Sequence, residues 1–314
     1  MLIFNSNHLN YLLHQAMRNA YLFCMMISIV LATSGCNKSD DDGAENSGPV
    51  EIIDESILNG DVNAPDFWDG ENLVWNDEFD GNALSTEKWF EQRYIGGRGN
   101  SELQTYAGGD NLEVSNGTLK INVEKSGPGQ NTGDYTSGRV DSKFVFTYGR
   151  IEMRAKLPAQ AGPGLWVKLW LLGANFDEVG FPQAGVIDML NYVSHVPDQF
   201  FSGAITTANF NKPDIKSISD AVVNESIESE FHNYGVLWTD QYLKFYLDDI
   251  DNITFTYRRP ENVNQGSWPF DAPFYFVMNV AVGGEFGGVE GVEDSMFPTE
   301  MEIDYVRVYH GKKG

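Results

Sequence analysis

The sequence predicts an all-β protein, an antiparallel sandwich or barrel, and three observations carry that expectation. From Leu73 onward apolar residues recur at period two in short runs, turn pairs such as Asn-Gly, Asp-Gly and Gly-Gly punctuate those runs, and no long helical pattern interrupts them. Hydrophobic residues make up 42% of the chain and aromatics 13%, which is enough apolar surface to fill a core between two sheets.

Before the strands comes a different kind of sequence. From Met17 the chain reads MRNAYLFCMMISIVLATSGC: one Arg, an apolar run from Ala20 to Ala32, the small residues Thr33, Ser34 and Gly35, then Cys36. This reads as a secretory signal over residues 1–35, too short for a membrane span. Its small-small-Cys ending resembles a bacterial lipobox, in which Cys36 is acylated and becomes the first mature residue. Residues 36–70 are polar, acidic and rich in Gly, Asn and Pro, the composition of a flexible tether. Within it, Lys38 to Asp42 resembles the acidic export signal of surface lipoproteins in glycan-degrading Gram-negative bacteria. These features imply a secreted protein, lipid-anchored at the outer membrane and facing the cell exterior.

The strand-rich body spans residues 71–311 as one domain, with no internal repeat and no second change of composition. In LEVSNGTLKINVE (112–124), Asn116-Gly117 separates two alternating runs as in a hairpin. Further alternating or apolar runs are YGRIEMRAKL (148–157), YGVLWTDQYLKFYLDD (234–249), FYFVMNVAVGG (274–284) and MEIDYVRVYH (301–310).

Charge removes one class of function. The 45 acidic residues against 21 basic ones give a net charge of −24, and loss of residues 1–35, which hold one Arg and no acid, takes it to −25. A nucleic-acid binder with a basic footprint is excluded. Both cysteines precede residue 37, so the body must stand on core packing without a disulfide.

Several ordered segments resemble glycoside hydrolase family 16, the laminarinase, carrageenase and agarase group. They are LVWNDEFDG (73–81), GNSELQTY (99–106), YTSGRV (135–140), YGRIEMRAKLP (148–158), GLWVKLWLLG (164–173), GVIDMLNYV (185–193), FHNYGVLWTD (231–240), WPFDAPFYFVMNVAVGG (268–284) and IDYVRVY (303–309). The resemblance implies a β-jelly-roll sandwich of two curved antiparallel sheets with a concave carbohydrate cleft.

The family's catalytic strand carries Glu-x-Asp-x-x-Glu. On a regular strand the first, third and fifth residues share a face, so bringing the sixth to that face requires one bulged residue. Four effective steps of about 3.3 Å then separate the outer Cα atoms by about 13 Å. Two inward-leaning glutamates at that separation can reach the roughly 5–5.5 Å between carboxyls that a retaining glycosidase needs. Here the three positions hold Val186, Asp188 and Asn191. Valine has no lone pair for an anomeric carbon and asparagine delivers no proton, so hydrolysis by the family mechanism is expected to be negligible. Gly203-Ala204-Ile205-Thr206 also lacks the His of the family's Gly-Thr-x-His, Lys168 replaces a small residue, and Arg98 stands where laminarinases often have Trp.

What remains suits sugar binding, where aromatic faces meet C–H patches and planar polar groups bond hydroxyls. By match to the family the candidate glycan contacts are Asn100, Glu102, Arg139, Trp166, Trp170, Asp188 and Phe286. Trp166 and Trp170, four apart on a strand, share a face, and Asn100 and Glu102 share another. Trp75, Trp89 and Trp238 read as core. The resemblance also implies a structural calcium held by Glu78, the Gly117 carbonyl and Asp304, whose hard oxygen atoms suit that ion. The five histidines are scattered without a metal-binding pair, and neither Gly-x-Ser-x-Gly nor a phosphate loop is present.

Three readings follow. The first is a catalytically inactive surface protein that captures a β-glucan, such as the β-1,3-glucan laminarin, for partner enzymes and importers. The second is an active hydrolase or transglycosylase using displaced acids, Asp188 with Glu102. The third is a structural or adhesion module of the cell envelope. The acidity favours a neutral glucan over a sulfated galactan unless Arg98, Arg139 and Lys168 make the cleft locally positive.

Overall fold

The computed structural model describes residues 73–309 apart from 97–98, 160–161, 211–218 and 265, together with the backbone of Glu51–Ile52. The expected signal, Cys36, Arg98 and the rest of the expected tether lie outside the described residues.

In chain order the strands are β1 (Glu51–Ile52), β2 (Leu73–Asp77), β3 (Trp89–Glu91), β4 (Arg93–Ile95), β5 (Gln104–Ala107), β6 (Leu112–Ser115), β7 (Thr118–Lys125), β8 (Tyr135–Ser137), β9 (Arg139–Phe146) and β10 (Gly149–Lys156). They continue as β11 (Leu165–Gly173), β12 (Val186–Val193), β13 (Gln199–Ile205), β14 (Ser219–Val223), β15 (His232–Trp238), β16 (Tyr242–Leu247), β17 (Ile253–Arg258), β18 (Phe274–Val282) and β19 (Thr299–Tyr309). Two one-turn helices, α1 (Phe176–Val179) and α2 (Gly284–Gly287), sit in loops.

The strands form two sheets. One has the order β1-β9-β18-β11-β12-β13-β14 with β3 beside β9; the other has β17-β16-β15-β10-β19-β7-β8-β5-β4 with β2 beside β19 and β6 beside β7. Pairing is antiparallel except for β1 with β9 and β5 with β8. The expected hairpin is present: Ser115 pairs with Thr118 across Asn116 and Gly117, whose φ angles of 55° and 78° are those of a two-residue type I′ turn.

Alternation along each strand explains why two sheets stack. Val167, Leu169 and Leu171 of β11, Ile187 and Tyr192 of β12, and Phe276, Met278 and Val280 of β18 all point to one side. They meet Ile151 and Met153 of β10, Tyr234 and Val236 of β15, and Ile303, Val306 and Val308 of β19 in one buried cluster. Trp89 and Trp238 are buried in it, and Trp75 packs on its flank with its ring stacked 4.9 Å from Phe144. With one face of the first sheet committed to the core, the alternate residues of β9, β11, β12 and β18 are presented on its outer face.

Candidate functional site

Strand β12 carries the bulge that the motif spacing demands. Against β13, Asp188 pairs with Gly203 and Asn191 with Phe201, so three steps on β12 oppose two on its neighbour. The same slip occurs against β11, where Leu169 faces Leu190 and Trp170 faces Asp188. The extra residue returns Asn191 to the face of Val186 and Asp188, while Ile187, Met189, Leu190 and Tyr192 join the core.

The outer face is organised around a buried ion pair. The ammonium of Lys168 lies 2.7 Å from Asp188 Oδ1, with the two side chains 9% and 7% exposed. It also sits 4.3 Å from the Trp170 ring centroid and 5.3 Å from that of Trp166. Register explains the convergence. Lys168 stands between the two tryptophans on β11, opposite Asn191 on β12 and Asn279 on β18. Each amide accepts from one indole: Trp166 Nε1 donates to Asn191 Oδ1 at 2.7 Å, and Trp170 Nε1 to Asn279 Oδ1 at 2.9 Å. Asn279 Nδ2 donates in turn to the Tyr106 hydroxyl at 3.0 Å.

Apolar clusters flank the ion pair on both sides. Towards one end Trp166, Val193, Ala281 and Phe286 pack together, with the Phe286 ring on α2 4.4 Å from the indole and tilted by 30°. Towards the other, Val186 packs with Leu172, Ala184 and Val277, beside Trp170, Ile205 and Tyr275. The position the resemblance gives to one catalytic glutamate is thus in a hydrophobic patch. The position it gives to the other holds an amide bonded to an indole.

The remaining candidates are also engaged from within the protein. Arg139 donates to both oxygens of Asp141, at 2.8 and 3.1 Å, and stands 5.5 Å from the Trp170 ring. Asp141 accepts a further bond from Gln92 at 2.9 Å. Glu102 bridges to Gly283 outside any strand, and Asn100 and Ser101 before it have φ near 55°, so the expected shared strand face of Asn100 and Glu102 is a turn. There Asn100 Nδ2 lies 3.4 Å and Gln104 Nε2 2.8 Å from the Glu102 carboxylate. Burial pushes the Glu102 carboxyl above its ordinary range, against those two bonds and the positive charges of Arg139 and Lys168. Of the three cations expected to make the cleft positive, Arg139 and Lys168 are each matched by a carboxylate, so the expected exception of a locally positive cleft does not arise from these two.

The expected calcium ligands meet arginines. Register places Glu78, Gly117 and Asp304 along β19, since Asp77 pairs with Val306 and Leu119 with Ile303. Glu78 accepts two bonds from Arg307, at 2.8 and 2.7 Å, and Asp304 accepts one from Arg154. Both carboxylates are bonded to guanidinium groups, so a cation shell at this place would require Arg307 and Arg154 to be displaced.

Sequence spacing did not reveal the network on β15 and β16. His232 Nδ1 lies 2.8 Å from Asp248 Oδ2 and His232 Nε2 2.9 Å from Ser226 Oγ, the order of a catalytic triad. The serine is held in a turn: its N–H and Oγ both lie within 2.9 Å of Asn224 Oδ1, and Asp248 is half exposed and also accepts from the Asn233 N–H. The arrangement clamps the 224–230 loop onto the sheet.

Known proteins match this architecture. The model for glycosyl hydrolases family 16 matches residues 99–307. The chain belongs to that family. It is similar to a β-glucanase of Rhodothermus marinus, 36% identical over 76% of this chain and 84% of the other. It is also similar to the crystal structure of a laminarinase from Flavobacterium sp. UMI-01, with 39% identity, a TM-score of 0.68, and coverage of 76% of this chain and 99% of that one. A third similar protein is the β-1,3-glucan-binding protein of Penaeus monodon, 31% identical over 48% of this chain and 46% of the other. Family 16 membership and the laminarinase-like jelly roll are therefore established for this chain.

Proposed function

We propose that this family 16 protein binds a neutral β-glucan on the outer face of its eight-stranded sheet and does not hydrolyse it. One observation carries the reading: the bulge aligns Val186, Asp188 and Asn191 on one face, and the only carboxylate of the three is paired with Lys168. A retaining double displacement needs a nucleophile and a proton donor flanking the scissile bond. A valine in an apolar cluster and an amide bonded to Trp166 supply neither. The similarity to a β-1,3-glucan-binding protein and to β-glucan hydrolases supports a β-1,3-linked glucan as ligand. The matched charges of Lys168 with Asp188 and Arg139 with Asp141, on a strongly acidic protein, favour an uncharged chain over a sulfated one.

In this reading Cys36 carries a lipid that holds the domain at the outer membrane, where captured glycan passes to partner enzymes and importers. Labelled palmitate incorporation that persists in Cys36→Ala would count against the anchor.

Titration calorimetry with laminarin, beside a reducing-end assay, tests the main proposal. Binding without product supports it, and absence of binding to every neutral β-glucan removes it. Trp166→Ala separates it from an adhesion module, because glycan affinity falls only if the outer face is the binding surface. The hydrolase reading with Asp188 and Glu102 has in its favour the burial that pushes the Glu102 carboxyl up, as a proton donor requires. Sustained release of reducing ends that disappears in Asp188→Ala would establish it instead.

A further inference from the structure

We propose that Lys168 is a built-in occupant of the central sugar position: it fills the space between Trp166 and Trp170, confines glycan contact to the flanks of the face, and sets the affinity. This rests on the binding reading above and concerns how that same site is regulated by its own side chain.

A site that receives a sugar presents aromatic faces and unsaturated donors and acceptors to solvent. At the centre of this face those groups are satisfied from inside the protein. The ammonium of Lys168 lies within about 6 Å of both indole centroids, the range of a cation–π contact, and so takes aromatic surface that a ring would otherwise cover. The same ammonium neutralises Asp188 at 2.7 Å. The amide oxygens of Asn191 and Asn279, opposite Lys168 on either side, hold the two indole N–H groups. A sugar entering between the tryptophans must therefore displace a side chain that is 9% exposed and leave a buried carboxylate without its partner.

On either side, the apolar clusters around Trp166 with Phe286 and around Trp170 with Tyr275 lie beyond the ion pair. Trp170 and Tyr275 are half-buried and offer aromatic surface without requiring Lys168 to move, whereas Trp166 and Phe286, each 9% exposed, present only their edges. The ion pair thus divides the face into two half-sites.

The test compares two charge-matched variants by calorimetry with a β-1,3-linked glucose hexamer, after thermal melts establish that each is folded. Lys168→Ala with Asp188→Asn removes both the stem and the charge pair. Lys168→Met with Asp188→Asn removes the charges and keeps the bulk. The first is expected to bind the hexamer about tenfold tighter than the wild type, the scale of a recovered aromatic contact, and the second within about threefold of it. Unchanged or weaker binding by the alanine variant would overturn the proposal and make Lys168 a bystander or a direct ligand. Equal tightening in both variants would also overturn it, because charge rather than volume would then be the obstacle. Failure of the wild type to bind while the alanine variant binds would remove the binding function of the native protein and leave the role of Lys168 standing.

Discussion

Replacing Asp188 by Asn should be among the most destabilising single changes on the outer face. The wild-type pair is buried, with side chains 9% and 7% exposed. Asn keeps the shape of Asp and removes only the charge, so Lys168 is left as a buried cation between two indoles. Breaking a buried pair on one side costs about 3–5 kcal/mol, since the surviving ion keeps its desolvation penalty without its partner. For a domain of this size about 2–4 °C of melting temperature accompanies each kcal/mol, so a fall of about 6–20 °C is expected by calorimetry. A second readout identifies the cause. An uncompensated lysine has its folded-state pKa depressed below its unfolded value, so the native state binds fewer protons over that interval and stability rises with pH there. Asp188→Asn should accordingly regain stability as the solution is made alkaline. Replacing both residues, as Lys168→Met with Asp188→Leu, should return stability to the wild-type level or above it, by up to about 4 kcal/mol. A melting temperature for Asp188→Asn within about 2 °C of wild type, with no gain at high pH, would refute the reasoning and place the ammonium in solvent.

The double substitution Val186→Glu with Asn191→Glu should not release reducing ends from laminarin, because Val186 lies in an apolar cluster and Asn191 stands opposite Lys168; adding Lys168→Ala should bring measurable hydrolysis, and activity in the double variant alone would show that the missing acids are the whole defect. Millimolar calcium or a chelator should shift the melting temperature by less than about 1 °C, because Glu78 and Asp304 are already compensated by Arg307 and Arg154; a calcium-dependent rise would place the ion there after displacement of the arginines. Hydrogen bonding from Arg307 holds the Glu78 carboxyl below its ordinary 4.5, so its stabilising contribution is complete above that value and is lost as pH falls through the depressed one. Glu78→Gln should therefore flatten the acid limb of the stability curve, and an unchanged limb in acid-denaturation measurements would contradict the Arg307 pairing.

Much of this arrangement was legible in the sequence because strands report their parity. Period-two runs and turn pairs identified an antiparallel sandwich or barrel, the resemblance to family 16 narrowed it to a jelly roll, and the family spacing at Val186, Asp188 and Asn191 required the bulge that the register shows. Trp166 and Trp170 sharing a face followed from the same rule. What parity could not supply was the partner of each polar group across strands. Lys168 reaches Asp188 only because β11 lies against β12 in one register, and Asn279 meets Trp170 only because β18 flanks β11 on the other side. The network of His232 with Asp248 depends in the same way on β15 pairing with β16. Asn279 did leave a signal, as the one polar residue among Tyr275, Val277, Asn279 and Ala281 in a run otherwise bound for apolar surroundings. Arg139 and Asp141, two apart on β9, could also have been paired by parity alone.

Positions 168, 186, 188 and 191 adjoin on one face, so under the binding reading no single change among them is expected to restore hydrolysis. A carboxylate at 186 or 191 would stand close to Asp188, where like charges oppose ionisation. Lys168 could neutralise only one of three such groups, and its stem would still occupy the space between the tryptophans. With Val186 and Asn191 present, the opposite holds: one carboxylate remains, one ammonium matches it, and removal of either leaves a buried charge. Residues in one such network couple non-additively, so the effects of these substitutions must be read as a set. The contact between Lys168 and Asp188 is therefore the diagnostic feature, because with the lysine in place the carboxylate is held by a partner from within the protein.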